Sequence, residues 1–119
     1  MKIVYVAGFD NQGISADTSA AMALANNNNV TEVIGYNYRV KGSQIGLEKR
    51  DQDLIKLCKE RKPDLIFFVK SNGINISVFE ECKKICPIAY WFADPLVTFL
   101  SDQEFKEKAR ICDCVFVDK

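Results

Sequence analysis

The sequence predicts an α/β domain: a doubly wound parallel sheet of five strands, in three layers with helices on both faces, and a working surface at the C-terminal ends of the strands. Three observations predict it. Short apolar runs rich in β-branched and aromatic residues alternate with longer helical stretches along the chain. The central run, Asp64 to Val69 (DLIFFV), is apolar on both faces, as a strand buried inside a parallel sheet must be. The connections are mostly long enough for right-handed crossovers.

The elements follow in order. Lys2 to Ala7 (KIVYVA) is a buried first strand that ends at Gly8. The loop Gly8 to Ser15 leads to a helix over 16–27, capped by Ser15 and stopped by Asn26 to Asn29, because asparagine tolerates the left-handed conformation. Val30 to Tyr36 is a second strand; its partial alternation places it nearer an edge. Arg39 to Gly46 reads as a polar, mobile loop with two glycines. Asp51 to Arg61 is a helix with Leu54, Leu57 and Cys58 on one face, ended by Lys62-Pro63.

After the central strand, Lys70 to Ile76 is a loop. Ser77 and Glu80 form a capping box that opens a helix to Ile85. Ile88 to Phe92 is a fourth strand, broken by Asp94-Pro95. Ser101 and Glu104 form a second capping box for a helix to Ile111, and Cys114 to Val117 is the fifth strand. This pattern implies a Rossmann-like or flavodoxin-like sheet of strand order 2-1-3-4-5. A hidden strand within Val40 to Gly46 would shift the order toward 3-2-1-4-5-6.

Composition narrows the function. The 119 residues suit one domain, and 48% apolar with 27% charged residues is ordinary for a packed core. Sixteen Lys plus Arg against 16 Asp plus Glu leaves no net charge to draw in nucleic acid or an anionic membrane. No stretch reaches the length of a membrane span. The five cysteines are odd in number and follow no secretory leader, so reduced thiols and a cytoplasmic location are expected. Their spacing lacks paired C-x-x-C knuckles, and the chain has no histidine, so no metal site is expected.

In such a sheet ligands bind where the strand order reverses, beyond the carboxyl ends of the strands. That crevice lies between the loop after strand one (Gly8, Phe9, Asp10, Asn11, Gln12, Gly13) and the loop after strand three (Lys70, Ser71, Asn72, Gly73). The two loop glycines let backbone amides face a ligand, or serve turn geometry alone. With no histidine available, a general base there would be a carboxylate, and Asp10 is the one the first loop offers. Lys70 either meets an anion or extends to water. Trp91 could stack on a sugar-like ring with Asp94 accepting from hydroxyls beside Pro95, or Trp91 packs in the core and Asp94 caps a turn.

Three stretches carry a family resemblance: Lys62 to Lys70 (KPDLIFFVK), Tyr90 to Pro95 (YWFADP) and Cys112 to Asp118 (CDCVFVD). In motif and spacing they resemble the N-terminal half of GT-B glycosyltransferases of the spore-maturation type, and the likeness spans nearly the whole chain. The resemblance implies two Rossmann-like domains facing each other across a cleft, with the acceptor on the N-terminal one and the nucleotide-sugar donor on the C-terminal one. Residues 1–119 would then be the acceptor-side half, truncated before its end and inactive alone. Gly8, Phe9, Asn11, Gly13, Lys70, Ser71, Asn72, Trp91, Asp94 and Pro95 would line the acceptor side, and Asp10 would deprotonate an acceptor hydroxyl. The implied partners are an acceptor and a nucleotide-sugar donor, with a homo-oligomer left open. GT-B enzymes do not generally need a bound metal, so no cofactor is expected.

The same fold hosts unrelated functions. A phospho-receiver would need an acceptor aspartate where strand three ends in Lys70. A flavodoxin-like carrier would need a Ser/Thr-rich first loop. The alternative that keeps its standing is a non-catalytic binding or assembly module.

Overall fold

A computed structural model of the chain describes residues 1–8, 23, 26–95 and 103–118, with the backbone alone at 93–95 and 118. The described elements run β1 (Lys2–Ala7), β2 (Glu32–Asn37), α1 (Tyr38–Ile45), α2 (Leu47–Arg61), β3 (Leu65–Val69), α3 (Ile76–Lys83), β4 (Ile88–Pro95), α4 (Gln103–Ile111) and β5 (Cys114–Asp118). The strands form one five-stranded sheet of order β2-β1-β3-β4-β5. Every pairing is parallel, with Val4 opposite both Ile34 and Ile66, Phe68 opposite Tyr90, and Tyr90 opposite Val115. The predicted fold class and strand order are those observed. Of the helix expected over 16–27 only Ala23, Asn26 and Asn27 are among the described residues; Ala23 is helical and Asn26 lies in a turn.

Strand β1 is flanked on both sides and buries Val4, Tyr5, Val6 and Ala7 completely. Connections from β2 to β3, β3 to β4 and β4 to β5 all move the same way across the sheet. Right-handed crossovers therefore put α2, α3 and α4 on one face. There Val4, Ile66, Phe68, Ile88 and Phe92 meet Leu54, Cys58, Val78, Phe79 and Phe105 in one core. Burial of each large aliphatic or aromatic side chain contributes about 1.5–3 kcal/mol. Aromatic packing orders this face: Phe68 stacks on Phe79 at 4.1 Å, and Phe92 meets Phe105 at 4.3 Å. On the opposite face Tyr5, Ala7 and Val69 are buried, with Val33, Phe67 and Trp91 packed against them.

The local structure departs from the sequence reading at several elements. The segment expected to be a loop, Arg39 to Gly46, is helix α1. Asn37 caps it by accepting from the Val40 amide at 3.2 Å, and Tyr38 enters the core. Its mid-helix Gly42 has a packing reason: a Cβ there would meet Arg50 Nη1 at 3.0 Å and Leu47 Cδ2 at 3.1 Å. Gly46, at φ 87, breaks α1 from α2, so α2 begins at Leu47 rather than Asp51. Its end is as expected: Lys62 turns left-handed at φ 50 and its amide closes on the Cys58 carbonyl at 3.0 Å.

Helix α3 is capped by Asn75, which accepts from the Ser77 amide at 2.9 Å, and not by Ser77. It starts two residues earlier than the capping-box pattern implies and stops at Lys83. Strand β4 continues through Asp94-Pro95 instead of breaking there. Its register with β5 shifts between Phe92 and Pro95, which is the kind of irregularity that tolerates proline in a paired strand. Ser101 lies outside the described residues. Glu104, its expected capping partner, sends its carboxylate to Lys108 at 2.7 Å and to the Gly73 amide at 3.4 Å.

Candidate functional site at the carboxyl end of the sheet

Among the described residues, the loop after β3 is the most constrained part of the carboxyl edge. Lys70 and Ser71 both have positive φ, 54 and 61, and Gly73 has φ 80. Two consecutive non-glycine residues in that region cost about 1–2 kcal/mol each, so surrounding contacts must hold them. The Lys70 amide donates to the Trp91 carbonyl at 2.9 Å, and the Tyr90 hydroxyl donates to the Lys70 carbonyl at 2.8 Å. Ser71 is fully buried, and its hydroxyl donates to the Val69 carbonyl at 3.2 Å.

Two buried cations brace this loop from either side. Arg50, on α2, is 2% exposed; it donates to the Gly73 carbonyl at 2.8 Å and the Tyr38 carbonyl at 3.3 Å, and pairs with Asp51 at 3.0 Å. Lys108, on α4, is 1% exposed and donates to the Ser71 carbonyl at 3.0 Å and to Glu104 at 2.7 Å. The Lys108 ammonium also lies 5.4 Å from the centre of the Phe79 ring. Burial pushes Lys108 below the usual lysine range, against the pull of Glu104, while the hydrogen bond from Lys108 holds Glu104 below the usual carboxylate range. Asp51 accepts from the Asn75 amide at 3.2 Å as well, so each carboxylate binds both a cation and the loop.

Two concavities flank the braced loop. One, about 690 Å³, lies between α2 and α4, with Glu48, Asp51, Asn75, Glu104 and Glu107 on its walls. The other, about 420 Å³, lies over α1 and is lined by Tyr38, Arg39, Gly42, Ser43, Leu47, Arg50 and Asn72. Gly8 adjoins it through Arg39, whose side chain lies across the end of β1. A Cβ on Gly8 would stand 2.8 Å from Arg39 Cδ and Nε. Glycine at this position is what allows that approach.

Of the predicted site residues, Gly8, Lys70, Ser71 and Asn72 come together here at the carboxyl edge around β1 and β3. Trp91 packs, half-buried, against the Tyr5, Ala7 and Val69 cluster on the opposite face of the sheet. Asp94 and Pro95 continue β4, Pro95 opposite Asp118. Phe9, Asp10, Asn11 and Gly13 lie outside the described residues. Among the described residues no group of His, Cys, Asp and Glu is arranged to hold a metal ion, and no helix is long and apolar enough to cross a membrane. Cys58 and Cys82 are buried and in contact, which raises the Cys82 thiol; Cys114 is exposed.

Sequence reasoning missed Tyr38, Arg39, Arg50 and Lys108. A signal existed for two of them. Arg50 precedes Leu54 by four and Cys58 by eight, and Lys108 follows Phe105 by three and precedes Cys112 by four. Each is a cation set on the buried stripe of its helix. Arg39 gave no signal, because its segment read as a loop.

Neither a protein-family model nor the sequence of a curated protein matches the chain. Among solved structures, the crystal structure of UDP-GlcNAc 2-epimerase from Neisseria meningitidis bound to UDP-GlcNAc is similar, with a TM-score of 0.63 and 13% identity. The match covers 98% of this chain and 40% of that one. The likeness shows the fold: a GT-B-like Rossmann domain, equal in extent to less than half of the neighbour.

Proposed function

We propose that this chain is the N-terminal, acceptor-side half of a GT-B glycosyltransferase, of the spore-maturation type that the motifs around Pro63, Trp91 and Phe116 resemble. It acts in the cytoplasm, with a nucleotide-sugar donor held mainly by a second domain. The observation that carries this reading is the reversal of strand order between β1 and β3. There Gly8 follows β1 and the strained, doubly braced Lys70 to Gly73 loop follows β3. Likeness of fold to an enzyme whose structure holds a nucleotide sugar supports it.

In this reading the buried cations keep the Lys70–Gly73 loop rigid, so that Lys70 and Asn72 present fixed groups to an acceptor. Asp10, in the loop that follows Gly8, takes the proton from the attacking hydroxyl, a step worth about 10²–10⁴ in rate. The test is turnover of nucleotide sugars by the full natural gene product, with any sequence that follows Lys119. Asp10→Asn should lower kcat by about a hundredfold or more. Absence of binding and turnover across nucleotide-sugar donors would remove the transferase reading.

A binding or assembly module is the second reading. What favours it is Phe116 on the edge strand β5, 49% exposed and stacked 6.1 Å from Phe67. A concentration-dependent mass that Phe116→Ser abolishes would speak for it.

A further inference from the structure

We propose that the pocket lined by Tyr38, Arg39, Ser43, Arg50 and Asn72, beside Gly8, binds a compact oxyanion, a phosphate or carboxylate borne by the acceptor. Naming the acceptor as carrier rests on the function proposed above; the preference for an oxyanion does not.

Three observations carry it. The first is an unmatched charge. The Arg39 guanidinium is exposed and makes no hydrogen bond or ion pair among the described residues; it lies 5.6 Å from the centre of the Tyr38 ring. The neighbouring Arg50 is matched by Asp51, so the net positive charge of the pocket comes from Arg39. A guanidinium fork that fits two oxygens of one anion is thereby left open.

The second is placement. Most exposed arginines are solvated and conformationally free. This one lies flat on Gly8, at 2.8 Å from where a Cβ would be, with the Tyr38 ring beside it. Ser43 ties the Arg39 carbonyl at 3.1 Å, fixing the first turn of α1 beneath it. Less ordering is then lost when an anion binds.

The third is an orphan. The Tyr38 hydroxyl is the buried side-chain polar atom that lacks a partner among the described residues, and Tyr38 is 2% exposed. A native structure seldom leaves such a group unpaired without a use for it. Here the residue is a wall of the same pocket.

The experiment is an NMR titration of ¹⁵N-labelled chain with inorganic phosphate in one arm and acetate in the other. Saturable shifts at the Gly8 and Gly42 amides and the Arg39 Nε–H are expected in the millimolar range. Arg39→Gln should weaken them about tenfold or more, and Arg39→Lys, which keeps charge without the fork, less so. The arm with the tighter response identifies phosphate or carboxylate as the group. Absence of shifts in both arms, or shifts unchanged in Arg39→Gln, would overturn the proposal. Anion binding that depends on Arg39, in a gene product that turns over no nucleotide sugar, keeps the oxyanion site and removes the acceptor as its carrier.

Discussion

Arg50 and Lys108 grip the same loop from opposite sides: the Arg50 Nη2 reaches the Gly73 carbonyl at 2.8 Å and the Lys108 Nζ reaches the Ser71 carbonyl at 3.0 Å. Both cations are buried, and they come from different helices. The loop they hold carries the two consecutive positive-φ residues Lys70 and Ser71. Removing Arg50 strands Asp51 and two carbonyls that it now satisfies. Arg50→Met is expected to destabilise the chain by about 3 kcal/mol in urea unfolding. A loss below about 1 kcal/mol would mean that the brace is dispensable.

Glu104 makes the Lys108 side of this brace pH-dependent. Its folded pKa is depressed by the hydrogen bond from Lys108, so its contribution is present above the ordinary carboxylate range and lost as pH falls through the depressed value. The neighbouring lysine acts in the opposite sense: its folded pKa is lowered by burial, so the penalty for burying its charge is relieved only as pH rises into the alkaline range. Glu104→Gln should cost about 1–2 kcal/mol at neutral pH, discounted because the carboxylate is half-exposed, and should flatten the acid limb of stability against pH. An acid limb identical to that of the parent would refute the pairing.

Tyr38→Phe removes the unpartnered hydroxyl and keeps the ring that packs under Arg39. Thermal stability should hold or rise, by up to about 1 kcal/mol, because an unsatisfied buried hydroxyl is lost. A fall of more than about 1 kcal/mol would show that the hydroxyl is satisfied in solution.

Gly8→Ala tests the close approach of Arg39. The atoms a Cβ would strike belong to an exposed side chain with solvent to move into, so stability should change by less than about 1 kcal/mol. Arg39 should nonetheless move, and NMR should show its Nε–H shifted while β2 and β3 amides stay in place. An undisturbed Arg39 resonance would contradict the geometry.

The cysteines should separate by rate under a thiol reagent. Cys114 is exposed and should react first. Burial pushes Cys86 up to about 11 and Cys112 up to about 12, so both should react slowly at neutral pH and faster as pH rises toward those values. Cys58 and Cys82, fully buried, should label only after unfolding. Mass spectrometry of partially labelled protein reads the order directly, and early modification of Cys82 would contradict the packing of α2 on α3.

The sequence by itself determined the strands, their order and the edge of the sheet where that order reverses. Strands such as Lys2–Ala7 and Leu65–Val69 announce themselves because a parallel sheet covered on both faces requires continuous apolar runs, and the crossover rule then leaves few orders open. The place of Gly8, Lys70 and Asn72 at the carboxyl edge was readable for the same reason: they follow closely on those strands. Helix α1 was not readable, since four of its eight residues are small or β-branched and it has no apolar stripe, and what stabilises it is the Asn37 cap and the burial of Tyr38. Only the tertiary structure decided what Arg50, Lys108 and Arg39 do. A charge on a helix has the same sequence signature whether it faces water, a carbonyl or an open pocket. The difference arises from residues twelve to thirty-seven positions away, such as Tyr38 and Gly73 for Arg50 and Ser71 for Lys108, which no local pattern contains.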